Sequence, residues 1–298
     1  MIIQDSQLRL LDALATYRYL IPRQLLRLGV CRSRPYLYSI LRDLEQTERP
    51  LVRKITYGVH PLAGRLPKVL CLTRHGAELL ADIHHTAAET YFYPRRHVSP
   101  LRHDYFHRTA TVDFQIELNR FAEAGGRLAF FQAYFHHTSE RGTHRSPGRP
   151  QALTRVALAG GVLVPDAVFR LELPTGDAWL FALEVKNGSD TSAVLRQGEN
   201  HIRALEEGVL STKYGFPSAY RVLWVFDRYW YDGAYRSAEN PMYAAMRALA
   251  ERKEWSEFFP CFAFTTLERF TTSFADQWFY VRPNGVIEQG RGGIFDTR

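Results

Sequence analysis

Leu8, Leu11 and Ala15 stand three and four residues apart, a spacing that predicts a helix over 6–19 capped by Asp5 or Ser6. A short helix over 23–28 follows Ile21-Pro22 and ends at Gly29, which suits a left-handed cap. Ser33 opens a third helix with Pro35 in its first turn, and Leu37, Ile40, Leu41 and Leu44 form one apolar stripe along it. That stripe turns Arg34, Tyr36, Tyr38, Ser39 and Arg42 toward the other faces. Two β-rich stretches, 51–57 and 68–72, flank a tip containing Gly58, Pro61, Gly64 and Pro67. Thr73 caps a fourth helix over 74–83.

Residues 84–100, with Tyr91-Phe92-Tyr93-Pro94-Arg95-Arg96, carry no period and read as a linker. Phe106, Ala110, Phe114 and Leu118 then repeat every four residues, which predicts a helix over 101–124 stopped by Gly125-Gly126. A strand over 127–135 leads into a loop bearing His136, His137, Arg141, His144, Arg145 and Arg149, which fits a solvated excursion or an arm touching DNA equally well. An alternating stretch over 162–173, a Pro174-Thr175-Gly176-Asp177 turn and a strand over 179–186 predict a hairpin. A helix over 191–207 and a strand over 220–227 follow. The tail predicts a helix over 241–253 and strands near 261–265 and 278–281 that extend the same sheet. Its Tyr229-Trp230-Tyr231 run suits core packing better than base stacking, and Arg291-Gly292-Gly293 reads as a frayed end.

Composition sharpens this picture. With 298 residues and 46% hydrophobic side chains, the chain has enough core for one large domain or two modest ones. No run of about 18 apolar residues predicts a membrane span, and Met1-Ile2-Ile3-Gln4-Asp5 lacks a secretory layout. Cys31, Cys71 and Cys261 form no CxxC pair, so a reducing cytoplasm is the expected compartment. The charge is uneven: residues 1–82 hold 13 Lys/Arg against 7 Asp/Glu, whereas the other 216 hold 25 against 24. A compact basic module beside a near-neutral one is the footprint of a polyanion-binding unit. Three helices, a two-stranded wing and a closing helix make a winged helix-turn-helix, and Leu70 to Leu80 resembles the wing-to-helix segment of bacterial winged-helix proteins. Such a unit places its third helix in the major groove of double-stranded DNA. The expected contacts are Arg32, Ser33, Arg34, Tyr36, Tyr38 and Arg42 around that helix, with Lys54, Arg65 and Lys68 on the wing.

The second half carries candidate chemistry. Side chains alternate along a strand, so Glu184 and Lys186 share one side with Val185 opposite, and Asp166 can meet them across the hairpin. Two carboxylates beside a lysine suit metal-assisted phosphodiester hydrolysis. Asp166 and Glu184 would hold a hard cation, Mg²⁺ or Mn²⁺, and Lys186 would orient water or stabilise developing charge. His103 and His107 also share a helix face, but no third ligand accompanies them; capping, packing or phosphate contact is the expectation there.

Pro165-Asp166 followed by Glu184-Val185-Lys186 resembles the PD-(D/E)XK nuclease superfamily. The resemblance implies an α+β or α/β class with a restriction-endonuclease-like αβββαβ core. It also implies a further acidic ligand from the first helix, best matched by Glu117 and next by Asp113, and a polar site residue from the later helix, matched by Gln197. A basic winged helix followed by this core resembles the replication-relaxation family, which is similar to the MobC-type relaxases and accessory factors of conjugation. His103-Asp104 fits that family at the start of the long helix; Lys186 departs from it, because many members have an acid after the hydrophobic strand. The likeness covers roughly residues 5–227. It implies DNA nicking or cleavage at a plasmid or integrative-element transfer or replication origin, with relaxosome proteins or a second copy of the chain as further partners.

The domains expected are thus a winged helix over 1–83, a linker over 84–100 and a nuclease-like domain with a C-terminal extension over 101–298. HUH relaxase chemistry is disfavoured, because no His-x-His triplet occurs. The absence of GxxxxGK[ST] and GxGxxG argues against an NTPase or a dinucleotide enzyme. Two rivals remain: a non-catalytic repressor or accessory factor on a degenerate nuclease fold, and a restriction or defence nuclease.

Overall fold

Leu37, Ile40, Leu41 and Leu44 are all buried, so the stripe read from sequence is the inner face of a helix. The structure, a computed structural model, describes residues 3–94, 104–136, 151–231, 234–290 and 293–295. It is a mixed α+β chain that divides into two compact units, Met1–Asp113 and Phe114–Arg298.

In the first unit, helices α1 (Asp5–Tyr17), α2 (Pro22–Arg27) and α3 (Arg34–Glu45) precede strand β1 (Val52–Ile55). A short hairpin, β2 (Val59–His60) and β3 (Gly64–Arg65), fills the tip, and β4 (Val69–Leu72) returns antiparallel to β1 with Val52 opposite Leu72. The closing helix α4 (Arg74–His84) is capped by Thr73, whose hydroxyl accepts from the Gly76 amide at 3.1 Å. Ser33 caps α3 in the same way, and Gly29 adopts the left-handed φ of 72° that the end of α2 requires. Residues 84–94 do not run free as a linker. Phe92 is buried against Tyr19, ring centres 5.7 Å apart, and Arg18 lies 4.6 Å over its face.

Helix α5 (Tyr105–Gly125) contains the division between the units. Its buried Asp113 accepts hydrogen bonds from Arg23 at 2.5 Å, Gln24 at 3.1 Å and Arg27 at 3.4 Å, which secures α2 to the end of the first unit.

The second unit is built on strands β5 (Arg127–Ala133), β6 (Val156–Leu158), β7 (Gly161–Leu163), β8 (Ala167–Glu172), β9 (Ala178–Lys186) and β10 (Arg221–Phe226). Helices α6 (Thr191–Glu206) and α7 (Val209–Lys213) join β9 to β10. Beyond them lie β11 (Tyr229–Tyr231), β12 (Ala234–Arg236), α8 (Glu239–Ala250), β13 (Phe262–Thr266), α9 (Leu267–Thr272), β14 (Phe279–Val281) and β15 (Ile287–Gln289). Among the described residues seven strands form one mixed sheet in the order β15-β14-β13-β10-β9-β8-β5. β5, β8 and β9 are antiparallel neighbours; β9, β10 and β13 run parallel, the βα-type crossover being supplied by α6 and α7.

Both faces of this sheet are covered. On one side Phe169 and Phe181 stack at 5.0 Å, with Phe114 stacked on Phe270 at 4.6 Å behind them. On the other side Leu180, Ala182, Val222 and Trp224 pack with Val194 and Ile202 of α6 and Met242 and Met246 of α8. Strands buried on both faces read as near-continuous apolar runs, as Arg221–Phe226 does.

Two further elements depart from the sequence expectation. The single strand predicted over 162–173 is broken at Val164-Pro165-Asp166, with β7 pairing to β6 and only β8 entering the sheet. Pro165 has no N–H to donate to a ladder, so pairing stops there. The chain end is anchored as far as it is described: Ile294 is fully buried and its carbonyl accepts from Arg221 at 2.7 Å. Residues 101–103 and 137–150 lie outside the described residues, and with them the His103 half of the histidine pair and most of the histidine and arginine loop. No helix among the described residues is long and apolar enough to cross a membrane.

Candidate functional site

Candidate residues gather in two places, one in each unit. In the first, α3 presents Arg34, Tyr36, Tyr38 and Arg42 to solvent, with Arg32 and Ser33 exposed at its start. Arg34 lies 5.7 Å over the Tyr38 ring and reaches its hydroxyl at 3.4 Å. Arg65 and Lys68 are exposed on the tip and its exit, beside the exposed apolar side chains of Val59 and Leu62. Lys54 differs from these: it is half-buried and forms an ion pair with Glu45 at the end of α3, so its charge is offset within the unit.

In the second unit the residues gather where β9 ends. Glu184 and Lys186 project from the same side of β9, Lys186 Nζ lying 3.8 Å from Glu184 Oε2. Because Ala167 is the register partner of Leu183, the next step along each strand places Asp166 across from Glu184. Asp166 is held where the ladder starts. Its amide donates to the Leu183 carbonyl at 3.0 Å, and its carboxylate Oδ2 accepts from the Val185 amide at 2.7 Å.

Glu184 is completely buried, a costly position for a carboxylate without partners. Helix α6 supplies them one turn apart. Gln197 Nε2 donates to Oε2 at 2.8 Å, and His201 Nε2 lies 2.8 Å from Oε1. The Gln197 carbonyl oxygen accepts from Lys186, and the ammonium also lies 5.1 Å over the Trp224 ring. Behind His201, the Tyr220 hydroxyl stands 3.0 Å from Nδ1 and donates to the His201 carbonyl at 3.1 Å. Burial first, then the charge of Glu184 and the neighbouring Cys261, push the Tyr220 phenol well above its ordinary value, so it keeps its proton as a donor. Asp227 extends the same end of the sheet: its amide donates to the Lys186 carbonyl at 2.8 Å, and its carboxylate accepts from Asn187 at 3.3 Å.

Of the five residues expected from sequence, Glu184, Lys186 and Gln197 therefore contact one another, and Asp166 stands across from Glu184 in the register with its carboxylate on the Val185 amide. Glu117 is not among them. It pairs with Arg120 on α5 at 2.7 Å, and α5 covers the sheet face carrying Phe169, the face opposite Glu184. Among the described residues no three His, Cys, Asp or Glu side chains gather as metal ligands, so the set of Asp166, Glu184 and Glu117 does not assemble. Asp113, the second match, is committed to Arg23, Gln24 and Arg27.

The residues that could hold a hard cation are then two carboxylates, Asp166 and Glu184. Mg²⁺ commonly takes one or two protein carboxylates and completes its shell with water and phosphate oxygens. Each carboxylate oxygen has two acceptor positions, and His201 and Gln197 use one on each oxygen of Glu184. The residues missed by sequence reading are His201 and Tyr220. The only local signal for His201 is its spacing of four from Gln197 on an amphipathic helix.

No family model, curated protein or solved structure matches this chain.

Proposed function

We propose that the protein is a sequence-specific DNA-binding endonuclease of the PD-(D/E)XK kind, with a winged helix as its DNA-binding unit. It hydrolyses a phosphodiester with Mg²⁺ or Mn²⁺ at a transfer or replication origin. The observation that supports this reading is the cluster of Glu184, Lys186 and Gln197 at the end of β9 with Asp166 across from Glu184, in a sheet whose β5-β8-β9-α6-β10 order is compatible with an αβββαβ core. Strand ends next to a parallel neighbour are where open sheets of this kind bind ligands.

In this reading Asp166 and Glu184 would hold the cation, which would supply Lewis acidity toward the phosphate and lower the pKa of water. Lys186 places a positive charge where negative charge develops on the phosphate, and Gln197 fixes its ammonium against Glu184. Supercoiled DNA carrying a site selected by the protein from a random pool is expected to be nicked or linearised with Mg²⁺ or Mn²⁺ and left intact with EDTA. Uncut DNA with every divalent ion would refute the hydrolytic reading.

One observation favours a second reading, a non-catalytic DNA-binding accessory factor or repressor: both oxygens of Glu184 already have partners within the protein. That reading predicts site-specific binding without cleavage.

DNA contact by the first unit is proposed from the exposed basic and aromatic face of α3 together with the excess positive charge of residues 1–82. Arg42→Ala is expected to relax base preference at one position by about 1–3 kcal/mol. Lys68→Ala should weaken binding to all sequences and lower the salt slope by about 1. Lys54→Ala, whose charge Glu45 offsets, should change the slope less than Lys68→Ala. Binding titrations at several salt concentrations, on selected and random duplexes, check all three.

A further inference from the structure

Behind the cluster at the end of β9 stands a fully buried histidine with no role in the chemistry above. His201 lies on the inner face of α6 among Val194, Gly198, Ile202 and Ala204, where an aliphatic side chain would pack without needing a partner. Its geometry is over-determined. A carboxylate oxygen only accepts, so the ring nitrogen 2.8 Å from Glu184 Oε1 carries a hydrogen. The Tyr220 hydroxyl, 3.0 Å from the other nitrogen, sets the orientation of the ring, and Trp224 packs edge-on against it at 6.2 Å. Gln197, one turn earlier, grips the second oxygen of Glu184. Two donors four residues apart on a single helix thus fix both oxygens, and with them the plane in which the remaining acceptor positions lie.

We propose that His201 is the positioning residue of this site, with Tyr220 as its support: the pair holds the Glu184 carboxylate in the orientation required beside Lys186 and Asp166. This rests on the hydrolytic reading above. It assigns His201 no contact with the scissile phosphate. Partners of this kind, standing behind a liganding carboxylate, change metal affinity or activity by about 10–100-fold when removed.

The test uses the full chain and three variants, His201→Leu, His201→Gln and Tyr220→Phe, in steady-state cleavage of the selected supercoiled DNA with Mn²⁺. His201→Leu is expected to lower kcat by about 10–100-fold with KM for DNA unchanged. His201→Gln, which restores an N–H donor, should recover part of that loss, and Tyr220→Phe should lose several-fold. A purely structural role would not produce the rescue or the separation of kcat from KM. A second readout is independent of activity: one histidine ring N–H resonance, protected from solvent exchange in the metal-free protein, should vanish in His201→Gln and shift in Tyr220→Phe. If His201→Leu does not fold, Tyr220→Phe decides the matter by the same two measurements. Wild-type kcat in His201→Leu or in Tyr220→Phe, or a ring resonance unmoved in Tyr220→Phe, overturns the positioning role and leaves the hydrolytic reading standing. Wild-type protein that cuts no DNA with any divalent ion overturns both.

Discussion

Glu184→Gln is expected to reduce DNA cleavage by about 10²–10³-fold while the protein stays folded, and Glu184→Ala is expected to lose both cleavage and stability. The two outcomes separate because Glu184 has two roles. As the cation ligand proposed above it needs its charge, which the amide removes. As a buried group it is the acceptor for Gln197 and His201 and the counter-charge of Lys186. Truncation to Ala leaves those three polar side chains facing a cavity, and removing one partner of a buried ionic network costs about 3–5 kcal/mol. Gln keeps an oxygen for one of the donors, so its stability cost should be the smaller. Thermal unfolding beside a cleavage time course separates the two effects. Glu184→Gln cutting at the wild-type rate would remove Glu184 from the chemistry.

The second large effect belongs to the first unit and to a backbone contact. Gly76, in the first turn of α4, passes so close to the end of α3's following loop that an added Cβ would lie 2.2 Å from the Leu51 carbonyl oxygen. That same oxygen accepts from the Thr73 amide at 3.0 Å, and the Thr73 hydroxyl donates to Pro50 at 2.5 Å. Gly76→Ala therefore cannot be accommodated by moving a flexible side chain. It has to push α4 off the start of β1, at a cost of about 3 kcal/mol, a large share of the ~5–15 kcal/mol that holds a typical domain together. DNA binding should weaken and Tm should fall by several degrees. Gly198→Ala is the control. Nothing lies within 4 Å of its added Cβ in the middle of α6, so the gain in helix propensity should stabilise by about 1 kcal/mol. Equal unfolding temperatures for Gly76→Ala and wild type would contradict this account of the α4 docking.

The parts of the fold legible in the sequence were those with a strong local period or an unambiguous cap. Leu37, Ile40, Leu41 and Leu44 announce α3, and Ser33 and Thr73 mark helix starts because their hydroxyls have no better use. The alternation across Phe181 to Lys186 placed Glu184 and Lys186 on one side of a strand. The break at Pro165 was hidden because the apolar residues on both sides of it continue one alternating pattern, and only the missing N–H interrupts the ladder. Short elements such as β2, β3, β15 and α9 carry too few residues for a period to register. The anchoring of Phe92 within the expected linker, and of Ile294 just past the expected frayed end, is hidden because a single apolar residue reveals nothing about the surface it meets.

Within the candidate site the same division holds. Strand alternation puts Glu184 and Lys186 on one side, which follows from period two, and the β8–β9 register sets Asp166 across from Glu184. The helix and charge of Glu117 suggest a ligand, but which sheet face a helix covers is decided by long-range packing, here the aromatic stack of Phe114, Phe169 and Phe270. His201 was missed for the converse reason: a histidine on an apolar helix face acquires meaning only when the strand opposite presents a carboxylate.

The most direct measurement is anomalous scattering from a crystal of the full chain soaked in Mn²⁺. The account predicts one strong peak at about 2.1 Å from a carboxylate oxygen of Asp166 and from one of Glu184, with Lys186 beside it. A peak elsewhere, with Asp166 and Glu184 still bonded only to Val185, Gln197 and His201 at saturating metal, would contradict it.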